Sequence, residues 1–214
     1  MIALACSLTA CGRGLPAAFP LEWQGVDSQP SPSDRVRAAI ANKNFKMEAV
    51  VDKRADRSKI GVDNETRYQY RTTSSVADFC TERIHEMLNA AGMRLVEQGD
   101  YVVQTEIGEY NVAEGGLFNG EVRVTFRVFA PGKPAFESMY EGKSKRFGRS
   151  HSPDNINEAL SNALHSATEK FLRDDAFADA LEGMLPGPAP TAAPEPAPAP
   201  EPAPPAKNKK KSGK

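Results

Sequence analysis

Apolar and polar positions alternate along some stretches of the chain and recur at spacings of three and four along others. Phe45, Met47, Ala49 and Val51 alternate with Lys46, Glu48 and Val50, the period-two pattern of a strand. Residues 52–71 are dominated by charge, interrupted by Ile60-Gly61, and read as a long polar loop. Val76, Phe79, Cys80, Ile84, Met87, Leu88 and Ala91 then fall on one helical face. Ser75-Val76-Ala77-Asp78 fits a capping box that opens this helix, and Gly92 stops it in a left-handed conformation. Three strands are predicted next: Tyr101, Val103, Thr105, Ile107; then Val122, Val124, Phe126, Val128; then Phe136, Ser138, Tyr140. Pro131-Gly132 marks a turn between the last two. Ser152-Pro153 begins a second helix with the stripe Ile156, Leu160, Ala163, Leu164, Ala167 and Phe171, and Phe177 and Leu181 extend it or form a short final helix. The order β-α-β-β-β-α predicts a single α+β domain, a mainly antiparallel sheet with two helices on one face.

Flanking this domain the pattern fades. Residues 12–44 carry Pro16, Pro20, Pro30 and Pro32 among serines and read as a flexible tether, with a short helical turn at Asp34–Ile40. Residues 183–214 form a tail. From Pro186 to Ala206 it is mostly Pro, Ala and Glu, a composition that favours a polyproline-II spacer of about 3.1 Å per residue, reaching on the order of 60 Å. Lys207, Lys209, Lys210, Lys211 and Lys214 end it as a basic tip. The divisions are therefore 1–11, 12–44, 45–182 and 183–214.

A net charge of −1 in 214 residues gives no electrostatic reason to expect nucleic acid. No apolar run approaches the roughly 18 residues of a membrane-spanning helix. Beyond Cys6 and Cys11 only Cys80 remains, so no internal disulfide is expected in the domain, and Cys80 reads as a small apolar residue of the first helix. His85, His151 and His165 have no metal-ligand spacing and read as solvated. No metal, cofactor or catalytic constellation is predicted, and a non-enzymatic protein is expected.

The beginning of the chain is more specific. Met1 to Ala10 is apolar and small, Leu8-Thr9-Ala10-Cys11 has the form of a lipobox, and Gly12 to Gly14 turns polar. This predicts lipidation at Cys11 and anchoring to a membrane without spanning it. Ala3-Leu4-Ala5-Cys6 is a weaker competitor, because Ala3 stands where the pattern prefers Leu. Ten residues without Lys or Arg are short for a secretory signal of about 15–30 residues, which fits a start internal to a longer precursor. Gly12, in place of an aspartate, resembles the outer-membrane sorting pattern, so a periplasm-facing, outer-membrane location is expected.

Val50-Val51-Asp52-Lys53-Arg54-Ala55-Asp56, the following Ile60-Gly61, and a helix ending in Leu88-Asn89-Ala90-Ala91-Gly92 together resemble YajG-like bacterial lipoproteins. The resemblance covers roughly residues 45–172 and the lipobox. It implies an envelope lipoprotein and no particular biochemical activity, and the proline-rich tail is foreign to its pattern. A more distant resemblance, carried by no motif of its own, is to auxiliary lipoprotein subunits of lipid-transporting ABC systems.

Several side chains are candidates for contact. Asp52, Arg54, Asp56 and Arg57 form a charged cluster after a strand, open to reading as a site or as surface ion pairs. Glu114 to Gly120 lacks the Gly-Lys-Ser/Thr ending of a phosphate loop and reads as a flexible hairpin. Leu117 and Phe118 at its tip either contact a membrane or partner or fold back as a lid. Lys143, Ser144, Lys145, Arg146 and Arg149, with Lys133, form a basic stretch. That stretch and the tip Lys207, Lys209, Lys210 and Lys211 are candidates for anionic lipid or cell-wall polymer, with a solvated strand end and a solubilising tail as the plainer readings. The expected role is binding or structural, toward an envelope protein, lipid or polymer.

Overall fold

In a computed structural model the described residues are 18–26, 28–130, 136–148 and 152–183. Along them run α1 (Asp34–Ile40), β1 (Asn44–Met47), β2 (Val51–Asp52), β3 (Lys59–Asp63), β4 (Gln69–Arg71) and α2 (Val76–Ala90). Then come β5 (Arg94–Leu95), β6 (Tyr101–Glu114), β7 (Phe118–Phe129), β8 (Phe136–Arg146), α3 (Pro153–Leu172) and α4 (Asp175–Gly183).

The three strands with the cleanest alternation form an antiparallel meander, β6-β7-β8. Every second side chain of β7 is buried, from Phe118 to Val128. On β6 the buried set runs Tyr101, Val103, Thr105, Ile107 and then Tyr110, Val112 and Glu114. The change of parity falls at a bulge at Gly108, where an extra residue shifts the pleat. The other edge of β6 receives β1, β2 and β3 in turn, all parallel to it, and β5 and β4 lie outside β1 and β3.

Both long helices cover one face of this sheet. Ser75 Oγ accepts from Asp78 N (3.2 Å) and Ser152 Oγ from Asn155 N (3.3 Å), capping α2 and α3 as their sequences direct. Gly92, at φ +94°, ends α2. α3 sits unusually close to the strands. A Cβ on Gly142 would lie 1.9 Å from the Ala163 carbonyl oxygen, and one on Gly120 2.4 Å from that of Ala159. The stripe Ala159, Ala163, Ala167 therefore rests on two glycines, backbone against backbone. Beyond it Phe126 stacks on Phe171 (4.2 Å between centroids), with Phe136, Tyr140 and Phe177 around them. The opposite face is wet and charged. Arg123 bridges Glu109, Glu121 and Glu141, and Arg127 bridges Glu106 and Glu137.

The mainly antiparallel α+β architecture is as predicted, with a parallel part where β1 joins β6 through a crossover containing α2. Two expectations change. The polar stretch 52–71 contains β3 and β4, held because Ile60 and Tyr70 are buried beneath charged neighbours. The domain also begins well before Phe45. Phe19 and Leu21 are buried, and Phe19 pairs with Thr72 beyond β4. Gln24 N donates to Ser161 Oγ (3.1 Å), and Asn157 Nδ2 to the Pro20 carbonyl (3.3 Å), so residues 19–26 form a strap across α3. Val36, Ala39 and Ile40 of α1 are buried and α1 packs on α4. Prolines made this segment read as solvated; its few apolar residues suffice to hold it.

Candidate functional site

Asp52 and Arg54 end β2 and begin the following loop, with side chains only 4% and 8% exposed. Arg54 Nε donates to Asp52 Oδ1 (2.9 Å) and Nη2 to Oδ2 (2.8 Å). Nη1 donates to the carbonyls of Lys59 (2.7 Å) and Tyr110 (3.2 Å), and Nη2 to that of Arg57 (2.7 Å). All five guanidinium N–H groups are used, and the group lies 5.8 Å from the Tyr110 ring. Arg54 thus clamps the loop and β3 onto β6 and has no donor left for a ligand. For Asp52 and Arg54 the two readings of this cluster give way to a buried staple. Gly61 has a related reason: a Cβ there would meet the Val112 carbonyl at 2.6 Å. Asp56 and Arg71 form an exposed pair (3.1 Å), and the Ser58 hydroxyl chiefly, with the Lys59 amide and Arg71, holds the Asp56 carboxyl below its usual range.

Clefts border α2. One of about 480 Å³ opens at its N-terminus, lined among others by Asp52, Arg57, Ser58, Thr72, Ser74 and Ser75. Its most buried carboxylate, Asp52, is committed to Arg54. Another of about 290 Å³ lies beneath the strap, lined by Trp23, Gln29, Arg83, Glu86, Met87 and His165. His165 is buried there, contrary to its solvated reading, because the strap covers this side of α3; its Nε2 has no hydrogen-bond partner. His85 is exposed. Cys80 is fully buried and burial pushes its thiol well up, so it stays protonated and packs as an apolar residue. Among the described residues no group of three His, Cys, Asp or Glu side chains could hold a metal ion.

The hairpin tip is closed. Phe118 is buried (1% exposed) as the first residue of β7, and Leu117 is half-buried, its carbonyl accepting from Gly115 N (3.1 Å) and Asn119 Nδ2 (3.3 Å). Phe118 therefore presents no surface to a membrane or partner. Of the basic stretch, Lys143 pairs with Glu141 (2.8 Å), Arg146 with Glu158 (2.9 Å), and Ser144 Oγ donates to the Ala159 carbonyl. Cys11, Lys133, Arg149, His151, Lys207, Lys209, Lys210 and Lys211 lie outside the described residues. Sequence reasoning missed the strap and the His165 cleft; Asn157, Ser161 and His165, spaced by four on an otherwise apolar face, were the available signal.

No protein-family model matches the sequence, and no curated protein matches it. Solved structures are similar to it to differing degrees. A Xanthomonas campestris protein, XCC0632, described as DUF330, is similar with a TM-score of 0.51 and 11% identity, over 78% of this chain and 94% of its own. The hypothetical protein CT253 of Chlamydia trachomatis gives 0.46 and 13%, over 66% and 98%. A minor lipoprotein of Acinetobacter baumannii gives 0.37 and 10%, over 61% and 89%. Of these three the first exceeds one half, and at that identity it establishes a common fold and no activity.

Proposed function

We propose that this chain is a lipid-anchored lipoprotein of the cell envelope, held through Cys11 on the periplasmic face of the outer membrane, whose domain binds or braces a partner and performs no catalysis. The observation that carries the reading is Leu8-Thr9-Ala10-Cys11 with the polar switch after it. Two structural facts support it. Asp52, which lines the cleft at the start of α2, is consumed by its pairing with Arg54, and the buried thiol of Cys80 is held protonated. Among the described residues no helix is long and apolar enough to cross a membrane; in this proposal the lipid on Cys11 supplies the attachment.

The test is expression from a complete export signal, comparing the unaltered chain with Cys11→Ser. The unaltered chain should fractionate with membranes and carry acyl mass on Cys11, and the variant should become soluble. Membrane-bound protein with an unmodified Cys11 would overturn the reading.

A further inference from the structure

We propose that β8 is a self-association strand: two copies of the chain pair antiparallel, edge to edge, about Gly142, and join their sheets into one. β8 is 11 residues long and hydrogen-bonds to β7 alone among the described strands. Its outer edge therefore carries backbone donors and acceptors with no partner strand, the arrangement that recruits another strand.

The occupant follows from the order of charges along it. The first half of the strand carries Glu137 and Glu141; the second half carries Lys143, Lys145 and Arg146. An antiparallel copy places acidic half against basic half. Centred on Gly142, each Glu141 faces the other copy's Lys143, and this contact occurs twice. Centred one residue earlier, Glu141 would face Glu141; one residue later, Lys143 would face Lys143. Directly opposed like charges are destabilising, so charge selects the Gly142 register.

The apolar side chains agree with the same register. Met139 (62% exposed) and Phe147 (66%) are the two most exposed large apolar side chains among the described residues, and both lie on this edge or just past it. In the Gly142 register Met139 of one copy is opposite Lys145 of the other and diagonal to Phe147, within reach of a sulfur–aromatic contact. The two sides of the axis repeat this, giving a small apolar contact on either flank of the Glu141–Lys143 pairs.

With Cys11 as the mature N-terminus, as proposed above, the two longer segments outside the described residues are unsuited to be the missing strand. Residues 186–206 are rich in proline, which has no amide to donate. Residues 12–17 lead into Phe19 at the far edge of the sheet, beyond β4, with β3, β6 and β7 between them and β8. At about 4.8 Å per strand that separation is on the order of 20 Å, which consumes all the reach of six residues. A second copy is the occupant that length and charge both allow.

Sedimentation equilibrium of the full chain in reducing buffer, from low micromolar to about 0.5 mM, should show a monomer–dimer equilibrium. Lys143→Glu and Glu141→Lys should each weaken it about tenfold or more, while the double exchange, Glu141→Lys with Lys143→Glu, should restore it. Circular dichroism of each variant checks that the fold is retained. A monomer at every concentration overturns the proposal, and so does a dimer indifferent to these exchanges, since it would use another face.

Discussion

Replacing Gly142 by alanine is the sharpest test of how α3 meets the sheet. The added methyl would stand 1.9 Å from the Ala163 carbonyl oxygen, 2.6 Å from Ala167 N and 2.9 Å from the Ala163 carbonyl carbon. An unstrained contact is about 3.5 Å, so the shortfall exceeds an ångström. All three atoms are backbone, and no rotamer change relieves the clash. The helix must lift, and Ala159, Ala163, Ala167 and the stacked pair Phe126–Phe171 lift with it. Overpacking costs about 1–3 kcal/mol, occasionally more, and a clash against backbone belongs at the upper end. For a domain of this size about 3 kcal/mol lowers Tm by roughly 6–12 °C. The control is Gly108→Ala, where an added Cβ has nothing within 4 Å and the change should stay within about 0.5 kcal/mol. Thermal melts and urea titrations of both variants measure the difference. If Gly142→Ala melts within about 2 °C of Gly108→Ala, the close seat of α3 is wrong.

Arg54→Ala should cost about 3–5 kcal/mol by leaving Asp52 buried and unpaired, and the double variant Arg54→Met with Asp52→Leu should recover most of that; a urea midpoint unchanged in Arg54→Ala would refute the clamp. Lowering pH should destabilise the domain through the open face. The Lys143 ammonium chiefly pulls the Glu141 carboxyl down to about 2, and Arg127 holds Glu137 below its usual range. A depressed folded value means stability present above the unfolded value near 4.5 and lost as pH falls toward 2, so Tm should fall across that window, and less steeply at high salt; a flat profile would contradict it. Deleting Lys207 to Lys214 should reduce binding to anionic vesicles at low salt and leave Tm unchanged, and equal binding by both forms would make the tail a spacer.

The sequence exposed those elements whose burial is one-sided and regular. α2, α3 and β7 each present a long uninterrupted period, as does β6 on either side of Gly108, and the helix caps are local, so Ser75, Ser152 and Gly92 could be read directly. Elements stabilised by distant contacts were hidden. β3 and β4 owe their existence to Ile60 and Tyr70 beneath a charged surface, and the strap owes its position to hydroxyl and amide groups more than a hundred residues away. Val51 and Phe45 belong to one alternation yet to two strands, because Val50 N turns aside to donate to Thr81 Oγ1 (2.9 Å). The Arg54 cluster shows the same limit at the site: charge density in a sequence does not reveal that an arginine has all five of its donors bonded within the fold.

The strap also sets a mooring length. Because Phe19 is already fixed beside Thr72, a lipid on Cys11 is separated from the first described residue, Ala18, by seven residue steps, at most about 25 Å even when drawn taut. A domain of this size is roughly 40 Å across. A chain lipidated at Cys11, as proposed, would be moored on a line shorter than its own hull, free to roll and pivot on the bilayer surface but not to rise clear of it.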